Sequence, residues 1–367
     1  MKRARILLIH FNYFPPRGGG EYAYFKIYEA LKSRYEVRNL STTSFLFKRF
    51  ARERIKRALT RYMLEPSLIL YPMCVRGSYD LIFTSWSAPV PFFGDLVYAQ
   101  PSAGALARPM RGLRSILEIR QSTIDTLLNS IGTGITWPWR EFFGSFSLKY
   151  HSFISNSLAT KKYIEKELKK PSLVVYPPVA THLYAPEYSR KEDLVLSIGE
   201  VIPEKRFHLI GVIGPRIPEA KFVLIGRATN VGQEIVREIE ERFKRAGLRD
   251  NFVYLGRVST AVKNNLLDRA KVLFHPSFYE SFGIAIVEGM AAGAMPVAHN
   301  SGGPPEFLEP NNLFSNLEEA TARIRNALNE SSSTREDLQE IASRFSEERF
   351  KEEILQVVSN QLISGQA

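Results

Sequence analysis

Short apolar runs alternate with helical patterns along the whole of this 367-residue chain. Such alternation is typical of the α/β class, in which helices connect parallel strands. The predicted strands of the first half are Arg5–Phe11, Glu36–Leu40, Asp80–Thr84, Leu96–Gln100, Ser152–Ser155 and Leu173–Tyr176. Those of the second half are Asp193–Gly199, Lys221–Gly226, Phe252–Leu255, Lys271–His275 and Met295–Ala298. The pattern therefore predicts an α/β protein with parallel sheets.

The stretch around Pro177 and Pro178 is the natural linker, so we predict domains at residues 1–178 and 179–345, followed by a helix over residues 346–363. The chain contains 44% hydrophobic residues, enough for two cores. Its one cysteine, Cys74, has no internal disulfide partner, which indicates a reducing compartment. No apolar run reaches the roughly 18 residues of a spanning helix, and the run after Met1 is too short for a signal peptide. We expect a cytoplasmic protein.

Two glutamates, Glu280 and Glu288, stand out because the segment around them is rich in apolar and small residues. No Lys or Arg occurs between Ala285 and His299. A buried carboxylate without a hydrogen-bond partner costs several kcal/mol, so we expect the partner of Glu288 to arrive as a ligand. Two neighbouring hydroxyl groups, as on a ribose or a hexose, would fit.

The local pattern around these glutamates predicts a strand, a loop and a helix. The strand ends at His275, Glu280 lies in the loop, and a helix begins near Gly283 with Glu288 on its second turn. The first turn of a helix has free N–H groups and a partial positive charge, which suit a phosphate. One such unit could hold a diphosphate at the helix start and a sugar one turn later.

The segment from Glu280 to Pro304, which includes Ala298-His299-Asn300-Ser301-Gly302-Gly303-Pro304, resembles the Glu-x7-Glu region of the retaining GT-B glycosyltransferases of family 4. Within that family it looks most similar to the dolichol-linked oligosaccharide α-1,2-mannosyltransferases. The resemblance implies the GT-B arrangement of two doubly wound, Rossmann-like domains facing a cleft, the first for the acceptor and the second for the nucleotide sugar. It also implies that the last helix, within residues 346–367, crosses back to the first domain.

The charge of the chain is uneven. Residues 1–180 carry 27 Lys and Arg against 12 Asp and Glu, and residues 181–367 carry 22 against 26, so the net charges are +15 and −4. A half this basic indicates an anionic partner. The basic stretch from Phe47 to Arg61 and the aromatic stretch from Trp137 to Phe146 suit an anionic membrane surface, or else pack on their own domain. We expect no nucleic acid, because a recognition helix and a stacking platform are both missing.

The resemblance assigns residues on both sides of the expected cleft. Gly18, Gly19 and Gly20 match the family's Gly-rich loop on the acceptor side, and Gln100 stands where many relatives carry a histidine. Lys205 matches the lysine that neutralises the donor diphosphate, but Glu200 and Ile202 occupy the positions of the family's arginine. The remaining donor-binding residues are Arg206, Gly199, Arg227, Val258, Phe282, Gly283, Ile284 and Glu288. We interpret His299 as structural support near the donor and His275 as a core residue.

The chemistry implied by the resemblance is transfer of a sugar, with mannose the one indicated, from a nucleotide diphosphate sugar to a lipid-linked glycan with retention. Glu280 and Lys205 are the expected catalytic residues. No Asp-x-Asp motif is present, so we predict that the reaction needs no metal and no cofactor beyond the donor. The enzyme would lie peripherally on the cytosolic face of a membrane. Two alternatives stay open: the same fold with another donor and a soluble acceptor, and a non-catalytic GT-B binding protein.

Overall fold

The computed structural model describes residues 3–10, 18–41, 74–86, 94–101 and 152–364. Contacts between Cα atoms divide the chain into two compact units, with the change from the first to the second between Pro178 and Val179. The second unit runs over Val179–Glu347, and the C-terminal segment Glu348–Ala367 belongs to the first. Each unit is built around its own sheet.

The first unit holds a parallel sheet. Its strands are β1 (Arg5–His10), β2 (Glu36–Ser41), β3 (Leu81–Trp86), β4 (Leu96–Ala99), β5 (Ser152–Ser155) and β6 (Ser172–Val174). They lie in the order β2-β1-β3-β4-β5-β6, and every pair is parallel. The strand order reverses beside β1, as it does in doubly wound folds.

The second unit holds another parallel sheet. Its strands are β7 (Glu192–Ile198), β8 (Lys221–Ile225), β9 (Phe252–Gly256), β10 (Ala270–His275), β11 (Met295–His299) and β12 (Leu313–Phe314). The order is β12-β11-β10-β7-β8-β9, so the winding reverses between β7 and β10. Ligands of such sheets bind outside the carboxyl ends of the strands at this reversal. The loops after β7, β10 and β11 are therefore where a site is expected.

The helices follow the strands in both units. They are α1 (Gly19–Lys32), α2 (Leu158–Tyr163), α3 (Ile210–Ile213), α4 (Asn230–Arg245), α5 (Thr260–Arg269), α6 (Ile284–Ala291), α7 (Leu317–Leu328), α8 (Ser332–Ser343) and α9 (Glu347–Ser364). Side-chain caps begin several of them: Ser157 accepts from Thr160 N–H at the start of α2, and Thr229 accepts from Gly232 N–H at the start of α4. Such caps satisfy N–H groups that the helix itself leaves open.

The core of the first unit explains where the last helix lies. Apolar side chains of β1, β3, β4 and α1 form one buried cluster, and α9 contributes Phe350, Ile354, Leu355 and Val358 to it. The Phe350 ring meets the Tyr98 ring edge-on with 5.8 Å between centroids. The final helix therefore packs within the first unit. Within the described part of the chain, no helix combines the length and the apolar character that crossing a bilayer requires.

The α/β class with two parallel sheets was predicted from the sequence and is confirmed. Each predicted strand is present with its ends shifted by at most two residues. Among the strands of the described residues, the two-residue β12 alone was missed, because it is too short to show a periodic pattern. The predicted membrane-binding stretches, from Phe47 to Arg61 and from Trp137 to Phe146, lie outside the described residues.

Candidate functional site

Glu280 is the centre of a charged cluster at the carboxyl edge of the second sheet. Its Oε2 accepts hydrogen bonds from Lys205 Nζ and from His275 Nε2, the latter at 3.0 Å. Lys205 lies in the loop after β7, and His275 is the last residue of β10. Only 14% of the Glu280 side chain is exposed. The cluster thus forms at the point where the winding of the sheet reverses.

The charges of this cluster follow from its burial and its contacts. Burial by itself raises the pKa of Glu280, but the Lys205 ammonium and the His275 hydrogen bond outweigh it and hold that pKa well below its usual range. Burial lowers the pKa of His275 in spite of the neighbouring carboxylate, which raises it. A neutral His275 that donates from Nε2 leaves Nδ1 as an acceptor, and this atom has no partner among the described residues. The site thus contains an ionised carboxylate between a cationic lysine and a neutral histidine.

Two glycines let the loop after β11 approach Glu280 closely. Gly302 has a φ of +73°, and a Cβ there would lie 2.1 Å from the Glu280 carbonyl oxygen. A Cβ on Gly303 would lie 2.5 Å from the carbonyl oxygen of Ser281. Gly303 N–H donates to the Glu280 carbonyl at 2.8 Å, and Tyr279 N–H donates to Ser301 Oγ at 2.9 Å. The consecutive glycines thus have a steric function: they let this loop fix the backbone beside Glu280.

Helix α6 begins without a capping side chain immediately after the Glu280 loop. Its N-cap is Gly283, with a φ of 100°. Among the described residues no side chain at this cap accepts a hydrogen bond from the first-turn N–H groups, which begin with Ile284. The preceding Phe282 is 1% exposed and packs against Phe307 and Phe345, which anchors the loop. Open N–H groups beside a lysine suit an anion. The role of Phe282, Gly283 and Ile284 in donor binding stays a prediction. Because the Phe282 ring is buried, only the backbone of that residue could contact a donor.

The prediction that Glu288 has no partner in the chain is wrong. Its Oε1 accepts a hydrogen bond of 2.5 Å from Lys263 Nζ on α5. The local pattern around Glu288 does not reveal Lys263, because that lysine lies 25 residues earlier, on a different helix. Glu288 does lie on the second turn of α6, as predicted.

Arg206 is a second cation in the loop after β7. It has a φ of 54°, and its guanidinium carbon lies 5.9 Å from the centroid of the Phe278 ring, a cation–π contact. Among the described residues no carboxylate or other hydrogen-bond acceptor is paired with its guanidinium. Burial lowers its pKa. A half-buried guanidinium without an anion is costly, which favours the predicted role of Arg206 at an anionic ligand.

His299 lies beside these two loops and is held by Ser301. Its Nδ1 is 2.8 Å from Ser301 Oγ, and its ring meets the Phe278 ring edge-on at 5.0 Å. Burial, with a smaller effect of the Arg206 charge, lowers the pKa of His299 to about 4. His299 is therefore neutral at physiological pH, and its contact with Ser301 is compatible with its interpretation as structural support.

The other predicted donor residues lie farther along the same edge of the sheet. Arg227 pairs with Glu200, and 64% of its side chain is exposed. Gly199 and Gly226 meet there, because a Cβ on Gly226 would lie 1.7 Å from the Gly199 carbonyl oxygen. Val258 is half-buried in the loop between β9 and α5. The geometry brings none of these into contact with Glu280, and their roles stay predictions.

In the first unit the structure brings two predicted acceptor-side residues together. A Cβ on Gly20 would lie 3.0 Å from Gln100 Oε1, so the side chain of Gln100 lies against the start of α1. No atom of the described residues lies within 4 Å of a Cβ built on Gly18, and Gly19 is the first residue of α1. Their contact with an acceptor stays a prediction. Among the described residues no group of three or more His, Cys, Asp or Glu is arranged to hold a metal ion.

The fold and this site define a class of protein. Residues 185–345 match the family described as Glycosyl transferases group 1, so the second unit carries a domain of that kind. The structure is similar to sucrose-phosphate synthase from Thermosynechococcus elongatus, with a TM-score of 0.72, 16% identity, and coverage of 99% of this chain and 100% of that one. It is also similar to Anabaena HepE in complex with UDP and glucose, with a TM-score of 0.63, 18% identity, and coverage of 97% and 99%. The fold is therefore the GT-B fold.

The chain is also similar in part to three curated proteins that share one name. The chain is 31% identical over 147 residues to the GDP-Man:Man(3)GlcNAc(2)-PP-Dol alpha-1,2-mannosyltransferase of Mus musculus, covering 36% of this chain and 30% of the relative. It is 27% identical over 219 residues to the protein of the same name from Dictyostelium discoideum, covering 53% and 43%. The human protein of that name is 25% identical over 382 residues, covering 89% and 75%. The first two alignments thus span less than half of the relative's length.

Proposed function

We propose that this protein is a retaining glycosyltransferase of family 4 that moves a sugar from a nucleoside diphosphate sugar to a lipid-linked glycan. The observation that carries the proposal is the ionised Glu280, held by Lys205 and His275 beside the uncapped start of α6. The carboxylate and the N–H groups of Ile284 and Ala285, the first two residues of α6, can bind the hydroxyls and the diphosphate of one ligand together. The match to a group 1 glycosyltransferase domain supports this assignment.

The donor diphosphate would lie at the N-terminus of α6. Lys205 has two N–H donors beyond the one that Glu280 accepts, and the Arg206 guanidinium has no acceptor among the described residues. These two cations and the helix N-terminus supply the positive charge that a departing diphosphate needs. We therefore propose that transfer requires no metal ion.

The proposed reaction passes through an oxocarbenium-like transition state. The bond between the anomeric carbon and the diphosphate oxygen breaks, and the acceptor hydroxyl oxygen bonds to the same face of that carbon. The acceptor proton passes to the departing phosphate oxygen. In this scheme Glu280 orients the donor sugar, because it is already engaged by Lys205 and His275 and is poorly placed to accept a proton. The names of the curated relatives support mannose as the sugar.

The proposed acceptor is carried by a lipid diphosphate at the cytosolic face of a membrane. The net charge of +15 over residues 1–180 and the dolichol-linked substrate in the relatives' names support this proposal. Co-sedimentation with neutral and anionic lipid vesicles tests the membrane part. Binding to anionic vesicles that is lost at high salt is the expected result, and equal retention by both kinds of vesicle contradicts it.

One observation favours a different donor and a soluble acceptor as the second candidate. By the resemblance, Glu200 and Ile202 stand where the family carries its diphosphate arginine, and the nearby Arg227 is engaged by Glu200. A changed anion site is compatible with a donor other than GDP-mannose. The donor preference therefore has to be measured with several bases.

A transfer assay tests the proposal. The purified protein is incubated with a labelled GDP-, UDP- or ADP-hexose and a lipid-diphosphate glycan, and the labelled glycolipid is extracted. The wild-type protein should form product with one donor, and Glu280→Gln should reduce the rate about a hundredfold or more. The matched control is Glu192→Gln, which breaks an exposed ion pair with Arg269 at the opposite edge of the sheet. Equal rates for Glu280→Gln and the control would contradict the assignment.

A further inference from the structure

Helices α5 and α6 are joined by the ion pair between Lys263 and Glu288. Both side chains are mostly shielded, with 23% of Lys263 and 17% of Glu288 exposed. Lys263 lies in the first turn of α5, which is capped by the Ser259 hydroxyl and begins directly after β9. The pair therefore lies at the carboxyl edge of the second sheet, the edge that also carries Glu280.

Only one oxygen of Glu288 is engaged. Lys263 donates to Oε1, and Oε2 has no hydrogen-bond partner among the described residues. A Glu side chain has several rotatable bonds, and fixing them on binding costs entropy. An ammonium that holds one oxygen in advance reduces this cost for any ligand that uses the other oxygen.

We propose that Lys263 is a positioning residue, which holds Glu288 Oε1 so that Oε2 accepts a hydrogen bond from a ribose hydroxyl of the nucleotide. This inference rests on the proposed function. Lys263 also balances the charge of Glu288, so that the carboxylate does not repel the diphosphate expected one turn away at the start of α6. The pairing thus makes a ribose site that is neutral overall and has one oriented acceptor.

A purely structural pair would act differently. If Lys263 only ties α5 to α6, its removal lowers stability and leaves the preference for ribose unchanged. The chain offers a matched control in Lys271, whose Nζ donates to Asp193 at 2.7 Å with 29% and 54% of the two side chains exposed. Lys271 and Asp193 lie near the amino ends of β10 and β7, at the edge opposite the site.

The experiment measures how strongly the protein prefers ribose. Calorimetry compares a ribonucleoside diphosphate with its 2′,3′-dideoxy analogue, using the base that the wild-type protein binds best. The proteins are the wild type, Lys263→Met, Lys263→Arg and Lys271→Met, each checked for folding by thermal melting. A hydrogen bond to a charged acceptor predicts a preference of about tenfold or more in the wild type.

The expected result is that Lys263→Met reduces the preference to less than about threefold, while Lys263→Arg restores part of it. Lys271→Met should keep the wild-type preference. An unchanged preference in Lys263→Met would overturn the inference, as would tighter ribonucleotide binding by this variant, because the lysine would then block Glu288. If the wild-type protein binds ribonucleotides without preferring ribose, the inference alone fails. If it binds no nucleotide at all, the proposed function fails as well.

Discussion

Replacement of Gly302 by alanine should disturb Glu280 without touching a charged group. Gly302 has a φ of +73°, and a Cβ there would lie 2.1 Å from the Glu280 carbonyl oxygen. Real Cβ atoms essentially never lie closer than 3.0 Å to such an atom. The obstacle is backbone, so the loop after β10 has to move. Its movement breaks the 2.8 Å bond from Gly303 N–H to the Glu280 carbonyl.

The magnitude can be worked from these two effects. A left-handed backbone costs an alanine about 1–2 kcal/mol, and the lost hydrogen bond contributes about 1 kcal/mol. We therefore expect Gly302→Ala to lower the free energy of unfolding by about 2–3 kcal/mol. Gly247 is the matched control, because its φ is +75° and nothing lies within 4 Å of a Cβ built there. Gly247→Ala should lower the free energy of unfolding through backbone strain alone, by about 1–2 kcal/mol.

Two assays together measure the effect. Urea denaturation followed by far-ultraviolet circular dichroism compares the two variants, and hydrogen exchange read by mass spectrometry locates the change. Gly302→Ala should speed exchange over residues 276–283, whereas Gly247→Ala should not. Because a displacement of about 1 Å can cost a site a hundredfold in rate, Gly302→Ala should also lose transfer activity. Equal stability and equal exchange in the two variants would refute the contact between the loops after β10 and β11.

Three further outcomes follow from the charged groups. Lys205→Met leaves the shielded Glu280 without its cation and should lower the free energy of unfolding by about 1–3 kcal/mol. Lys271→Met, which breaks a more exposed ion pair, should lower it by less than about 1 kcal/mol. Equal decreases in urea denaturation would contradict the pairing of Lys205 with Glu280. The pKa of His299 is lowered from 6.5 to about 4 in the folded protein, so between these pH values the unfolded chain binds a proton that the native state does not. The free energy of unfolding should therefore fall by up to about 3 kcal/mol as pH drops from 6.5 to 4. Denaturation measured across this range should show a flatter pH dependence for His299→Gln, and an unchanged dependence would contradict the assignment. Arg335 is 3% exposed and donates to three backbone carbonyls, so Arg335→Met should cost about 3 kcal/mol or more, and a thermal midpoint close to that of the wild type would show that these bonds do not matter.

Most of the strands could be predicted because they are short apolar runs with clear ends. Their order could not, because β7 pairs with β10, and paired residues such as Val195 and Val272 lie far apart in the sequence and leave no local pattern. The contact of Lys205 with Glu280 depends on that pairing. Both residues were predicted as parts of the site, but their direct bond was not.

Two residues of the site were missed for different reasons. His275 was interpreted as a core residue, and it is buried, yet it also binds Glu280 five residues later. Its position as the last residue of a strand that leads into the site loop was a usable indication. Lys263 was missed because the prediction for Glu288 considered only the residues from Ala285 to His299 as partners. The two residues lie on different helices, α5 and α6, so no spacing rule within one helix predicts their ion pair.

The central claim is that Lys205, Glu280 and the start of α6 form a donor site for a nucleoside diphosphate sugar. Calorimetric titration with GDP-, UDP- and ADP-sugars in the presence of EDTA tests it most directly, with the wild type, Lys205→Met and Lys271→Met side by side. We expect the wild type and Lys271→Met to bind one donor with the same affinity and Lys205→Met to bind it at least about tenfold more weakly. Absence of binding to every donor, or binding that Lys205→Met leaves unchanged, would contradict the claim.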